Sequence, residues 1–432
     1  MSEPLKIAIA GLGTVGVGLL QVLEANSETI SLRCGRPVVV TAVSSRDKSK
    51  DRGINLDGFE WYDDASVMAT QADCHVVVEL IGGSDGIALD TCMNALKAGR
   101  SVVTANKAMI AHHGMALAQA AELSGSSVLY EAAVAGGIPI IKSLREGLAG
   151  NSVSRISGIL NGTCNYIMTR MRNESLSFDS VLKDAQDLGY AEADPSFDVD
   201  GVDAAHKLSI LAALSFNAVI NFDAVYIEGI RNVSLMDVQF AEELGFRIKL
   251  LGIAQRTENG IEQRVHPCLV PKSSAIANVE YALNAVEVEC DFADTIVHVG
   301  PGAGAGPTAS AVMGDIMDIA RDRSLPLFNI PSDELAEIPT VSMDDHYGEY
   351  YVRLMVVDRS GVFAEIATIL QNHNVSMEQV LQRARAVGEP VPLVMVLHET
   401  IEANMKSALE EISALDSVVG DPHMIRIELL HG

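Results

Sequence analysis

Asp203 and Lys207 stand four residues apart, and four more carboxylates, Glu192, Asp194, Asp198 and Asp200, fall in the eleven residues before Asp203. Two chemistries fit this stretch. On a helix surface, Asp203 and Lys207 form an i,i+4 ion pair worth roughly 0.2–0.5 kcal/mol and nothing more, with Asp203 also favoured near the positive end of the helix dipole. At the mouth of an acidic turn, Lys207 instead becomes a proton donor surrounded by ligands for a cationic substrate. The company of acids favours the second reading. The residues after Lys207 favour it too: Leu208, Ile210, Leu211, Ala212, Ala213 and Leu214 leave the helix apolar on nearly every side, which predicts burial. A buried charge costs several kcal/mol unless it is paired or used. Pro195 is expected to exclude helix before it, and Asp200 suits the N-cap.

A second chemistry-bearing stretch lies at the N-terminus. Gly11-Leu12-Gly13-Thr14-Val15-Gly16 follows an apolar run at 5–10 and precedes an apolar-periodic segment reaching about Glu24. A glycine loop between a strand and a helix presents backbone N–H groups to a pyrophosphate at the helix N-terminus. The next strand, 37–43, ends in Ser44-Ser45-Arg46. A strictly NAD-dependent enzyme usually carries an acid there for the ribose 2′-hydroxyl. Two hydroxyls and an arginine suit a 2′-phosphate instead, which favours NADP; the other reading is a plain surface loop, with Asp47 beside it. Lys107 follows the strand 101–104 and so falls at the carboxyl edge where ligands of open α/β sheets bind, although surface lysines are common at such edges. His112 and His113 are expected to open the following helix and to face solvent, because adjacent helix residues do not share a face.

The elements that must position these groups can be read from the pattern. Strands are expected at 73–81 and 128–133 and helices at 85–98 and from the Gly136-Gly137-Ile138-Pro139 turn to about 147, completing a Rossmann-type α/β domain over 1–150. From 151 to 321 the chain reads as an α+β substrate and dimerisation domain, with strands at 153–160, 225–233, 246–255 and 261–270 and helices at 162–171 and 178–188. The loop 301–307 is glycine-rich and either returns, with the helix after it to 321, to close the cofactor cleft or is a flexible connector. Residues 322–348 are rich in Pro, Ser and Asp and read as a linker. Residues 349–432 read as a βαββαβ module of ferredoxin-like type.

Composition bounds the partners. The 432 residues carry a formal net charge of −26, which argues against nucleic acid and anionic membrane. The six cysteines are scattered with no Cys-x-x-Cys, which reads as free thiols in a reducing cytoplasm. No signal peptide or apolar run of 18 residues is evident.

The order of motifs carries a resemblance. The glycine loop, Ala105-Asn106-Lys107, Glu131-Ala-Ala-Val-Ala-Gly-Gly-Ile-Pro139, Gly158-Ile-Leu-Asn-Gly-Thr-Cys-Asn-Tyr166, Gly189-Tyr-Ala-Glu-Ala-Asp-Pro195 and Asp203-Ala-Ala-His-Lys207 closely resemble homoserine dehydrogenase, and the C-terminal module resembles an ACT domain. The resemblance implies NAD(P)-dependent interconversion of L-aspartate 4-semialdehyde and L-homoserine, on the route to threonine, methionine and isoleucine. It implies Lys207 as proton donor, Lys107 as a second catalytic lysine, and Glu192 and Asp203 as substrate ligands. Leu12, Thr14, Val15, Gly189 and Gly304 match cofactor-contacting positions. A sodium ion is implied at Glu131, Val134, Gly136 and Ile138, whose oxygen ligands suit a hard cation. A cytoplasmic homodimer or homotetramer is expected. The turn with Asp358 and Gly361 precedes a helix N-terminus able to take a carboxylate, and L-threonine is the effector the resemblance implies; the other role for the module is dimerisation alone. Two rival functions remain: a dehydrogenase for a different amino-acid aldehyde, and a nucleotide-sensing regulator, although no basic helix-turn-helix is present.

Overall fold

The computed structural model describes residues 3–188, 193–323, 325–382 and 389–430. Six strands form the first sheet: β1 (Leu5–Ala10), β2 (Val38–Ser44), β3 (Glu60–Tyr62), β4 (Val76–Glu79), β5 (Ser101–Thr104) and β6 (Val128–Leu129). They run parallel in the order β3-β2-β1-β4-β5-β6. This is the doubly wound order whose direction reverses between β1 and β4, and ligands bind in the crevice at that reversal. Helices cover both faces, so Ile7, Ile9, Val76 and Val78 are fully buried, as continuous apolar strands require.

The helix after β1, Thr14–Cys34, runs ten residues past the expected Glu24; its backbone is irregular at Asn26, and burial resumes with Ile30 and Cys34 before Gly35 ends it in a left-handed conformation. The helix Ala305–Ala320 lies against it. A Cβ on Gly18 would stand 2.9 Å from the Ala305 carbonyl oxygen, so this crossing needs a residue without a side chain. The glycine-rich loop 301–307 thus returns to the cofactor domain.

The second sheet contains β7 (Val153–Ile159), β8 (Tyr226–Ile227), β9 (Phe246–Thr257), β10 (Gly260–Pro271), β11 (Leu283–Cys290), β12 (Thr295–Pro301), β13 (Tyr347–Val357), β14 (Met377–Gln382), β15 (Pro390–Ile401) and β16 (His423–Ile427). Its order is β12-β11-β7-β9-β10-β16-β13-β15-β14, with β8 beside β10. The last four strands, with helices Val362–Asn372 and Glu402–Ser413, make the ferredoxin-like module. That module does not stand apart. Its β16 pairs with β10 in parallel, Cys268 opposite Arg426 and Leu269 opposite Ile427, so strands of the 151–321 region and of the C-terminal module share one sheet. The segment 325–348 is docked as well: Leu327 and Phe328 are buried, Tyr130 donates to the Leu327 carbonyl at 2.7 Å, and Thr340 bridges to Ile261.

Several expected elements differ. The helix expected to open at His112 begins at Lys107, because the Asn106 side chain caps it by accepting from Met109 N at 3.1 Å. The strand expected over 128–133 stops at Leu129 and turns into a 3₁₀ segment at Glu131–Ala133, where the Glu131 amide leaves the sheet to donate to Asp315 at 2.8 Å. The helix expected to reach 147 is α-helical only at Ile140–Lys142 and widens to a π turn at Ser143–Gly147. The strand expected over 225–233 is only Tyr226–Ile227; Gly229 sits where a Cβ would lie 2.3 Å from the Val199 carbonyl oxygen. Residues 193–195 are not helical, and Pro195 is the N-cap of a short unexpected helix, Ser196–Val199, that follows it.

Candidate active site

The helix Val202–Phe216 is buried along nearly its whole length, as its apolar composition predicts. Asp200 is not its N-cap. Gly201, at φ 89°, takes that place without a side-chain cap, and Asp200 turns outward to pair with Arg231. The uncapped first turn therefore keeps its positive end for Asp203, which is 4% exposed.

Asp203 is a hub. Lys207 Nζ donates to Oδ2 at 2.6 Å, Lys107 Nζ lies 3.0 Å from Oδ1, and the Asn161 amide donates to Oδ2 at 2.8 Å. Burial alone would push this carboxyl up; Lys207 and Lys107 outweigh it and hold the group well below the usual carboxylate range. Lys207 also donates to the Leu160 carbonyl at 2.7 Å. Three parts of the chain supply this cluster. Lys207 and Asp203 come from one helix, Lys107 from the first turn after β5, and Leu160 and Asn161 from the end of β7. Asn161 caps the helix Gly162–Glu174 with its carbonyl oxygen, accepting from Cys164 N at 2.8 Å, which leaves its amide to reach Asp203 and, at 2.8 Å, Asp198. Burial raises the Asp198 carboxyl, with the Asn161 amide opposing. His206, buried on the same helix, stacks on Phe222 with centroids 4.3 Å apart and meets His112 Nε2 at 3.1 Å. Burial, then His112, lowers its pKa to about 4. His112 thus has a partner as well as an exposed face; His113 reaches Asp85 at 2.8 Å.

Lys107, Asn161, Asp198, Asp203, Lys207 and Gly304 line one cavity of ≈ 570 Å³. Gly11, Gly13, Ser45, Arg46, Lys50 and Arg52 line another of ≈ 630 Å³ across the glycine loop, together with Leu12. Both volumes suit a ligand site. The loop itself fits a dinucleotide. A Cβ on Gly11 would lie 2.5 Å from the Leu80 carbonyl oxygen and one on Gly16 would lie 2.1 Å from that of Gly11, whereas Gly13 faces open space. The first and third glycines allow close packing and the second leaves room for a pyrophosphate. Thr14 opens the helix, which has no side-chain cap and no acid in its first turn, so its N–H groups suit an anion. Val15 borders the first cavity.

Arg46 lines the second of these cavities, but it has company the motif did not single out. Arg52 donates to the Leu12 carbonyl at 3.2 Å and to Ser45 Oγ at 3.0 Å, tying the glycine loop to the end of β2. The signal was present as Arg46, Lys48, Lys50 and Arg52 within seven residues. The sequence gives Asn161 no role beyond membership of the Gly158–Tyr166 motif, and its capping position was the available clue.

The 131–138 turn gathers oxygen donors. Ala135 and Gly136 take left-handed conformations and reverse the chain between Val134 and Ile138. The Glu131 carboxylate accepts from Ile141 N at 2.9 Å and Lys142 N at 2.8 Å. Burial, then Asp315, pushes Glu131 up to about 8. The Ile138 carbonyl accepts from Ile140 N at 2.8 Å. The Glu131 and Ile138 oxygens each keep a second lone pair, and oxygen is the ligand type a hard cation takes. In the C-terminal module, Gly361 has φ 97° at the start of Val362–Asn372 and nothing within 4 Å of an added Cβ; Asp358 N donates to the Glu389 carbonyl at 3.1 Å. Glu192 and Gly189 lie outside the described residues.

Three family models match: "Homoserine dehydrogenase, NAD binding domain" over residues 11–131, "Homoserine dehydrogenase" over 139–317 and "ACT domain" over 350–417. The chain is 43% identical over 435 residues to a homoserine dehydrogenase of Neisseria gonorrhoeae, covering 99% of this chain and 100% of that one. It is 42% identical over 438 residues to one of Pseudomonas aeruginosa, covering 99% and 100%. Among solved structures, a homoserine dehydrogenase from Thiobacillus denitrificans superposes with a TM-score of 0.94 at 44% identity, covering 99% of both chains. A hyperthermophilic archaeal homoserine dehydrogenase in complex with NADPH superposes with a TM-score of 0.63 at 26% identity, covering 73% of this chain and 97% of that one.

Proposed function

The chain belongs to the homoserine dehydrogenase family, and from that premise we propose how its residues divide the work of interconverting L-aspartate 4-semialdehyde and L-homoserine. The observation that carries the assignment is the Lys207–Asp203–Lys107 cluster, its Asp203 and Lys207 buried and its Lys107 half-buried, at the wall of a cavity that also takes in the second glycine-rich loop. When bound, NAD(P)H supplies the hydride. Lys207 donates the proton to the carbonyl oxygen in the reducing direction, since a lysine ammonium is protonated at neutral pH. Asp203 holds both lysines in place. Glu192 and Asp203 accept the substrate's α-ammonium, and Asp198, which shares the Asn161 amide with Asp203, adds an acceptor.

Arg46, Ser45 and Arg52 around the adenosine-side cavity support NADP as the preferred cofactor, because two guanidiniums and a hydroxyl match a 2′-phosphate. A sodium ion at Glu131, Val134, Gly136 and Ile138 fits the oxygen donors of that turn. L-threonine at the Asp358–Gly361 turn is the proposed effector, in a cytoplasmic homodimer or homotetramer. No helix among the described residues is long and apolar enough to cross a membrane.

The test is oxidation of NADPH and of NADH with aspartate 4-semialdehyde, other amino-acid aldehydes serving as controls. Aspartate 4-semialdehyde should be the favoured substrate, and Arg46→Ala should weaken NADPH while sparing NADH. Equal loss for both cofactors, or none, would withdraw Arg46 from the 2′-phosphate site.

A further inference from the structure

Asn284, near the start of β11, turns its side chain to the face of the second sheet where the helix Gly162–Glu174 begins. A Cβ on Gly162 would stand 3.4 Å from Asn284 Oδ1, and one on Gly302 would stand 2.1 Å from Asn284 Cγ. The carboxamide is thus wedged between the first residue of that helix and the second glycine-rich loop, in space that both glycines leave open. Asn284 precedes Ala285, which pairs with Ile159 on β7. Its backbone therefore lies one strand spacing, about 4.8 Å, from the chain that leads to Leu160 and the lysine held there. Asn284, Gly162, Gly302, Asp203 and Lys207 all line the same catalytic cavity of ≈ 570 Å³.

Asn284 is 1% exposed, yet its side chain makes no hydrogen bond among the described residues. Oδ1 is enclosed and unpartnered, which leaves Nδ2 as the atom facing the cavity. A buried amide with nothing to bond is costly, so one wedged in place at a ligand cavity is expected to meet a group that arrives with the ligand. The charges around it show which group. Asp198 and Asp203 line the side of the cavity near the two lysines; they attract an ammonium and repel a carboxylate. Lys107 and Lys207 are both held in ion pairs with Asp203. What remains for a carboxylate is the start of the helix Gly162–Glu174, whose first turn carries no acid and whose dipole favours an anion, with Asn284 Nδ2 beside it.

We propose that Asn284 is a specificity-determining residue of this site, its Nδ2 donating to the substrate's α-carboxylate at the start of that helix. The assignment rests on the reading of aspartate 4-semialdehyde and homoserine as the substrate pair, and adds a residue that recognises their acid end. A neutral donor suits the place. A lysine or arginine there would compete for the carboxylate of Asp203, which holds both catalytic lysines, whereas an amide bonds the substrate and leaves that cluster intact. A hydrogen bond to an ionised acceptor is also stronger than a neutral one.

NADP⁺ reduction by the full-length enzyme tests this, with L-homoserine and with L-homoserinamide, which carries a neutral amide in place of the carboxylate. Asn284→Asp keeps the size of the side chain and puts an oxygen where the N–H stood; Asn284→Ala removes the donor. Each should raise KM for L-homoserine by roughly tenfold or more, as loss of a hydrogen bond to a charged group does, with kcat little changed, the mark of lost ground-state binding. Neither should alter kcat/KM for L-homoserinamide or Kd for NADP⁺. Where Asn284→Asp folds poorly beside Gly302, the smaller Asn284→Ala still fits the space and carries the test. Equal losses on both substrates would make Asn284 a structural wedge, and a matching fall in NADP⁺ affinity would place it on the cofactor. Either result, or unchanged kinetics in both variants, overturns the proposal. A wild type inactive on L-homoserine with either cofactor would instead remove the substrate reading, and the proposal with it.

Discussion

Lys207 uses two of its three N–H bonds, on Asp203 Oδ2 and the Leu160 carbonyl, which leaves the third for a substrate oxygen. Lys207→Ala should keep the fold and cofactor affinity, because Lys107 still neutralises Asp203, and should lower turnover by roughly 10²–10⁴-fold. Single-turnover rates beside cofactor Kd separate the two effects; near-normal turnover would remove Lys207 from the chemistry. His206 carries a different consequence. Its pKa falls from 6.5 to about 4 on folding, so between those values the unfolded chain binds a proton that the folded chain refuses. Stability is then full above pH 6.5 and declines as pH drops towards 4, by up to roughly 3 kcal/mol from this group. Urea unfolding at pH 7.5 and 5.0 should show a smaller acid loss in His206→Asn than in the wild type. Identical losses would mean His206 is not the group responsible.

At the scale of elements, the glycine loop makes a prediction that separates folding from binding. The missing Cβ at Gly16 would fall 2.1 Å from a backbone oxygen, whereas at Gly13 it would meet nothing within 4 Å. Gly16→Ala should therefore destabilise the domain by about 1–3 kcal/mol or prevent folding. Gly13→Ala should fold normally and weaken NADPH binding, because the added methyl occupies the space left for the pyrophosphate. A Gly13→Ala enzyme with unchanged cofactor affinity would falsify this placement of the pyrophosphate. The same loop shows what sequence can convey. Its glycines, the apolar strand before it and the buried helix at Val202–Phe216 were legible because one local pattern fixes each. The partners of Asp203 were not: β7 and β5 bring Asn161 and Lys107 to it from distant parts of the chain, and no periodicity encodes that meeting. The N-cap expected at Asp200 fails for a related reason, since the acid found Arg231 in the tertiary structure and Gly201 took the left-handed turn.

For the whole molecule, the C-terminal βαββαβ pattern was readable as a module, but its docking was not, because the seam is built from long-range pairs whose sequence signals are isolated charges. A chain ending near residue 345 looks catalytically complete from sequence alone, since the lysine cluster and both glycine loops precede that point. The seam predicts otherwise. Removing the module takes Arg353, Tyr351 and His423 away from Asp237, which is fully buried. It takes Glu428 from Arg264 and Arg155 and His346 from Glu262. It also uncovers the β10 positions that pair with β16. Breaking a buried ion pair by deleting one partner costs about 3–5 kcal/mol, and an exposed strand edge invites association. Several such losses together approach the whole stability of a domain, typically about 5–15 kcal/mol. The truncated chain should thus melt well below the full-length protein and aggregate, with whatever activity survives following the soluble fraction. The full-length Gly361→Asp variant, strained by about 1–2 kcal/mol because φ is 97° there but with open space around the new side chain, should melt only slightly below the wild type and is the cleaner probe of effector response at that turn. Thermal unfolding with light scattering decides the matter. A truncated protein that stays monodisperse and melts at the full-length temperature would show that the shared sheet contributes little, and that the module is a detachable regulator after all.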